Sequence, residues 1–380
     1  MPIVSVPDFT VSSVSGVQSA SEVAAVESAA VESDESELPQ AAIAKAATIA
    51  QASSRNLSIR DLDTKTSGGN VRSGERDAGI LRGCSAIGGA AAPRQRVSSA
   101  HIRRRRPCET GGVAAVPERS LAGDTAVTRL APGRWTGSIV PEWFGPPGPN
   151  GGFIAALMLR AIRAEVDDDE RLPRSMTLHY LRPPAPGTAE IEVTVERSGR
   201  SATTCSARLL EDGRTVTLAL CVLTADYEPA QSWDPEPPEA PAADGIEMLG
   251  SGPGAPPLFE QLETRPVWGA APFSGGDEPV SGGWLRSRGD AAMTPELIAL
   301  YTDAWWPAPF SVMTEFVPAP TLELTIHWRA KPEPDDTLVL ARFSAEASID
   351  GLFDEQGEVW DRRGRLLAQS RQLALLRAPK

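Results

Sequence analysis

The stretch NGGFIAALMLRAIRAEV, residues 150–166, decides the fold class. Asn150 is a residue type that caps helix N-termini, and Gly151-Gly152 open a long apolar run that reads as a helix. Strand signals follow it. SMTLHYLRPPAPG (175–187) is a strand ended by prolines. AEIEVTVE (189–196) alternates, with Ile191, Val193 and Val195 on one face and Glu192, Thr194 and Glu196 on the other. SATTCSARLL (201–210) and TVTLALCVLTA (215–225) flank Glu211-Asp212-Gly213-Arg214, a hairpin turn.

The plan then recurs. Thr294-Pro295 caps and starts a second helix, expected to end before Pro307. TLELTIHWRAKPEPDD (321–336), TLVLARFSAEAS (337–348), LFDEQGEVWD (352–361) and RLLAQSRQLALLR (365–377) read as strands, with a turn at Asp361-Arg362-Arg363-Gly364. One helix followed by antiparallel strands, twice over, is a duplicated α+β layout with a helix packed on each sheet face.

Four segments follow from the texture. Residues 1–118 contain a single aromatic, Phe9, and too few large apolar side chains to offset ordering entropy, so disorder is expected. A translation start downstream of Met1 would also account for this segment. The basic run Arg103-Arg104-Arg105-Arg106 within it reads as a solvated coil. Residues 119–227 form the first helix-plus-sheet unit, 228–257 a Pro/Ala/Gly-rich linker, and 258–380 the second unit.

Composition narrows the function. There are 37 basic against 50 acidic residues, a net charge of −13, which disfavours nucleic acid as a partner. No apolar run approaches a membrane span. Cys84, Cys108, Cys205 and Cys221 lack metal or redox spacing and read as reduced thiols of a cytoplasmic protein. With three histidines in the chain, neither a metal nor a cofactor is expected.

The two halves differ where chemistry could reside. Asp303 is the only ionisable carboxylate in LIALYTDAWW (297–306), with Leu300 and Trp306 beside it at helical spacing. A carboxylate there either reaches solvent or is held by hydrogen bonds, and such held carboxylates are candidate general bases. Anchoring the two hairpins on Gly213 and Gly364 sets Gln372 opposite Cys221. Anchoring the preceding strands on Arg182 and Arg329 sets Thr321 opposite Arg174, and the same offset sets Asp303 opposite Ala156. Helix residues 152–159 carry no polar side chain. Asp303, Thr321 and Gln372 are thus polar additions of the second half.

Several motifs in order resemble the bacterial acyl-CoA thioesterase II family: PNGGFIAALMLRA (149–161), LHYLRPPAPG (178–187), VERSGRSATT (195–204), YTDAWWP (301–307), PTLELTIHWRA (320–330) and LLAQSRQLALLR (366–377). The resemblance covers residues 120–380. It implies a double hotdog fold, hydrolysis of an acyl-CoA thioester, and a water held by Asp303, Thr321 and Gln372. Where such enzymes often carry an Asp-His pair after the Thr, this chain has Glu323-Leu324.

The chemistry suits those residue types. Asp303 would take a proton from the water that Thr321 and Gln372 orient. Gly151 and Gly152 are candidates for the oxyanion donors, or for close packing of helix on strand. Arg197 and Arg200 could meet coenzyme A phosphates, or be solvated hairpin charges. Trp305 could line the acyl pocket or belong to the core. His179 and His327 read as structural. The sheet edges favour a homo-oligomer.

Three other functions are weighed. A serine hydrolase lacks its G-x-S-x-G elbow. A hotdog enoyl-CoA hydratase would need a His five residues after its Asp, where this chain has Ala308. An inactive acyl-binding or structural double hotdog remains the non-enzymatic alternative.

Overall fold

The computed structural model describes residues 119–378 except Pro147 and residues 251–254. The expectation of disorder over residues 1–118 therefore lies outside the described residues.

The first half begins with a short helix α1 (Leu121–Asp124), strands β1 (Thr128–Ala131) and β2 (Arg134–Ile139), and a small separate pair, β3 (Phe144–Gly145) and β4 (Gly148–Pro149). The long helix α2 (Gly151–Val166) follows, then β5 (Leu172–Tyr180), β6 (Gly187–Ser198), β7 (Thr203–Glu211) and β8 (Arg214–Thr224). The second half repeats this order. A short helix α3 (Pro257–Glu260), β9 (Leu262–Trp268) and β10 (Val280–Ser287) lead to helix α4 (Pro295–Tyr301). Then come β11 (Thr321–Trp328), β12 (Val339–Ser344), the short β13 (Ser348–Ile349), β14 (Leu352–Asp361) and β15 (Leu366–Leu375). The duplication is real, and each half adds two strands ahead of its long helix.

Among the described residues, the strands of both halves form one antiparallel sheet ordered β1-β2-β6-β7-β8-β5-β11-β15-β14-β12-β10-β9, with β13 attached to β14. Each half reads inward from its edge in the same order, and the halves meet where β5 pairs with β11. Thr177 sits opposite Thr325 there, and their hydroxyls lie 2.9 Å apart. Because these two threonines face one another across the seam, an offset of 148 relates the two strands (325 − 177).

The helices cover the sheet. In α2, Phe153 through Leu159 are all buried, as befits a helix packed on strands and on α4 together. Asn150 caps it as expected, accepting from the Phe153 N–H at 2.9 Å. At Gly152 an added Cβ would come within 2.7 Å of the Leu300 carbonyl, so glycine is needed for helix to approach helix, not helix to approach strand. The β7–β8 turn carries positive φ at Asp212 and Gly213, the conformation that Asp-Gly favours. Val195, on the same face as the buried Ile191 and Val193, is exposed; the β6–β7 register shifts just beyond it, between Val195 and Arg197.

Helix α4 is shorter than the sequence suggests. It ends at Tyr301, with Thr302 bonding back to the Ala299 carbonyl at 2.8 Å. The prolines at 307 and 309 disfavour helical backbone just before them. Asp303 therefore stands in the turn beyond the helix, not on it.

Candidate active site

Helix α2 and the turn after α4 build the site between them. The Asn150 side-chain amide donates to the Asp303 carbonyl at 2.5 Å and to Asp303 Oδ2 at 3.0 Å. The Gly152 N–H reaches the same Oδ2 at 3.0 Å, and the Gly151 N–H adds to the stabilisation of the carboxylate. Asp303 thus lies at the negative end of its own short helix and at the positive N-terminus of α2. Tyr180 braces this junction by donating to the Gly151 carbonyl at 2.8 Å. A Cβ at Gly151 would crowd Asp303 Oδ2 at 2.9 Å.

Asp303 remains partly open to a cavity, yet surrounding protein desolvates it enough to raise its carboxyl to about 6, the N–H groups of Gly152 and Gly151 opposing the rise. The Gly152 amide is therefore occupied in holding the carboxylate, not free as an oxyanion donor.

Thr321 and Gln372 face the same cavity. Period-two alternation would set Thr321 on the outer face with Glu323. A bulge between Thr321 and Glu323 turns it inward instead. The Thr321 hydroxyl then donates to Gln372 Oε1 at 2.9 Å. Gln372 is buried and donates from Nε2 to Glu355 Oε1 at 2.5 Å. Glu355 Oε2 in turn accepts from the Ala308 N–H. Burial raises Glu355 to about 7, the Ala308 and Gln372 donors opposing it and the Asp303 charge adding to it.

The cavity encloses about 460 Å³ and is mostly apolar. Trp305, Trp306, Phe273, Phe310 and Phe316 contribute its aromatic wall, and Leu249, Gly250, Ala255 and Pro256 close it from the segment between the halves. Trp305 is thus a wall residue. Arg182, exposed on the segment after β5, borders the cavity. Arg197 and Arg200 do not: they sit exposed at the β6–β7 hairpin. Glu323 and Leu324, where the family pattern is broken, also lie off the cavity. His327 is exposed on β11.

Asn150, Glu355 and Arg182 were missed as site residues. Asn150 was seen only as a cap. Counting outward from the Asp361–Gly364 turn would set Glu355 opposite Ser370; a register shift near the turn, between Val359 and Trp360, brings it across from Gln372 instead.

Comparison with known families decides the identity. Residues 140–224 match the acyl-CoA thioesterase N-terminal domain and residues 225–376 the acyl-CoA thioesterase C-terminal domain. The chain belongs to the acyl-CoA thioesterase family. It is a thioester hydrolase with a double hotdog fold. An uncharacterised Mycobacterium tuberculosis protein is 31% identical over 274 residues, covering 64% of this thioesterase and 90% of that protein. A conserved hot dog protein of Alicyclobacillus acidocaldarius superposes with a TM-score of 0.62 at 25% identity, over 68% of this chain and 98% of that one. A Thermobifida fusca YX structure described as a candidate thioesterase II gives a TM-score of 0.60 at 28% identity, over 69% and 99%. Among the described residues no helix is long and apolar enough to cross a membrane.

Proposed function

We propose that this thioesterase hydrolyses acyl-CoA by water activation at Asp303, with Thr321 and Gln372 orienting the water and the carbonyl. The observation that carries the reading is convergence: an anchored carboxylate and a hydroxyl–amide pair open onto one apolar cavity. Its donors leave the carboxylate at least one of its roughly four lone-pair sites for water. Asp303 takes a proton as the water oxygen bonds to the thioester carbonyl carbon. The C–S bond then breaks, and the proton passes to the leaving thiolate. With Gly152 engaged by Asp303, the second N–H of Gln372 is the donor that best suits the developing oxyanion. The apolar wall receives the acyl chain. Neither a metal nor a cofactor enters this scheme.

The test is thiol release from acyl-CoA substrates of graded chain length by the full chain, with Asp303→Asn and Gln372→Ala alongside. Release by wild type and a loss of about 10²-fold or more in Asp303→Asn support the reading. No release at any chain length by wild type would favour an inactive acyl-binding protein. Full activity in Asp303→Asn would remove Asp303 from the mechanism.

A further inference from the structure

We propose that Glu355 is a positioning residue: its ionised carboxylate fixes which end of the Gln372 amide faces Thr321, and its protonation reverses that orientation. The inference rests on the proposed role of Gln372.

Proton accounting supports it. The Ala308 N–H can only donate, so Glu355 Oε2 must accept whatever the charge state. Oε2 is already engaged as an acceptor, so the proton that finds a partner is one on Oε1, the oxygen that meets Gln372. An ionised carboxylate is purely an acceptor and selects the NH₂ end of the amide. Gln372 Oε1 is then turned to Thr321, whose hydroxyl must donate to it. That leaves the Thr321 oxygen free to accept from water. A protonated Glu355 donates instead, and the amide must present its carbonyl. The NH₂ end then points at Thr321, occupies its lone pair, and the relay runs backwards.

The charges around Glu355 isolate this effect. Asp303, from the turn after α4, is the titratable group whose charge acts on it. Its strand neighbours Asp354 and Glu358 fall on the opposite face by alternation. There Asp354 pairs with Arg371 of β15, and Glu358 lies opposite Arg342 of β12. Tyr180, from β5, is held neutral by burial and by the Asp303 and Glu323 charges. Burial sets the Glu355 ionisation near 7, so a change of pH around neutrality switches it.

The test is the pH dependence of kcat for the full-length wild type, Glu355→Gln, Glu355→Met and Asp303→Asn. Glu355→Gln keeps an acceptor for Ala308 but presents NH₂ to Gln372, mimicking the protonated state at every pH. Wild type should show two ionisations, near 6 and near 7. Glu355→Gln should lose the upper one and about tenfold in kcat at pH 8, with KM within about threefold. Glu355→Met should also lose the upper ionisation, which keeps the test open if the Gln variant folds poorly. An upper ionisation that persists in both variants would overturn the inference. If Asp303→Asn is inactive in that case, the proposed hydrolytic reading stands and only the Glu355 role falls. Full activity in Asp303→Asn would overturn both.

Discussion

The two halves of this chain share one backbone plan and contrast in polarity at four matched positions. The β5–β11 seam aligns Pro173 with Thr321, each on a strand with the same bulge beside it. The hairpin registers align Cys205 with Glu355 and Cys221 with Gln372. Helix caps Asn150 and Thr294 align Leu159 with Asp303. The first half buries a leucine, a proline and two thiols. The second buries or half-buries two carboxylates, a hydroxyl and an amide. Burial raises the Cys205 thiol to about 11 and Cys221 further, so neither is a nucleophile at neutral pH. At these matched positions one half is dry core and the other holds a polar relay. The division is not complete, because the dry half contributes the α2 N-terminus that holds Asp303.

Copying the first half onto the second gives the sharpest test of that contrast. Under reducing conditions, Glu355→Cys with Gln372→Cys recreates the thiol pair of β7–β8 on β14–β15. The double variant should fold, since the matched site already packs two thiols, and should lose about 10²-fold or more in kcat. Circular dichroism and thiol release check the two halves of the statement. Retained activity would show that the relay is ornamental.

Stability gives the next largest effect, and its direction follows from proton binding. Asp303 and Glu355 have folded-state carboxyls near 6 and near 7, above their ordinary values. Folded protein therefore holds protons that the unfolded chain has released. Their contribution is complete below about pH 4 and is lost as pH rises through about 6 to 7. A rise of about two units at Asp303 corresponds to at most roughly 3 kcal/mol, less for its partial exposure to the cavity. Asp303→Asn should thus gain stability relative to wild type as pH rises from about 4 to 7, measured by urea unfolding at several pH values. A difference that stays flat with pH would mean that Asp303 is not desolvated. The half with the polar relay would then be no more strained than the other.

Asn150→Asp probes the contribution of the first half with a smaller change. The aspartate still caps α2, accepting from Phe153, but sets a second carboxylate against Asp303. Like charges at that distance raise the carboxyl further. The lower limb of the kcat–pH profile should move up by about one unit, with activity recovered near pH 8.5. An unmoved limb would mean that α2 supplies packing alone.

Sequence pattern carried the duplication and the α2 cap because these rest on period and cap chemistry; contrast between repeats singled out Asp303, Thr321 and Gln372, and only the family resemblance implied that they meet. Features created by irregular backbone were hidden. Anchoring on Arg182 and Arg329 missed the seam register by one residue, setting Thr321 against Arg174 instead of Pro173. Asp303 shifted from Ala156 to Leu159 because the two long helices differ in length and phase. The inward turn of Thr321 depends on a bulge that alternation cannot foresee. Glu355 was hidden differently: in LFDEQGEVWD it is one of four acidic residues, and only cross-strand pairing sets it apart.

The arginines offer the smallest effect and separate surface charge from site charge. A chain of net charge −13 must meet the coenzyme A phosphates with local cations. Arg182 borders the cavity, whereas Arg197 and Arg200 lie on an exposed hairpin away from it. Arg182 is solvated, so its pairing with a phosphate is worth little, as exposed ion pairs are. Arg182→Ala should therefore raise KM by a few-fold, about five at most, at low salt and less at high salt, with kcat unchanged. Arg197→Ala and Arg200→Ala should leave KM within about twofold. The reverse pattern would move the phosphate contact to the β6–β7 hairpin, and the first half would then supply a substrate contact as well as the helix that holds Asp303.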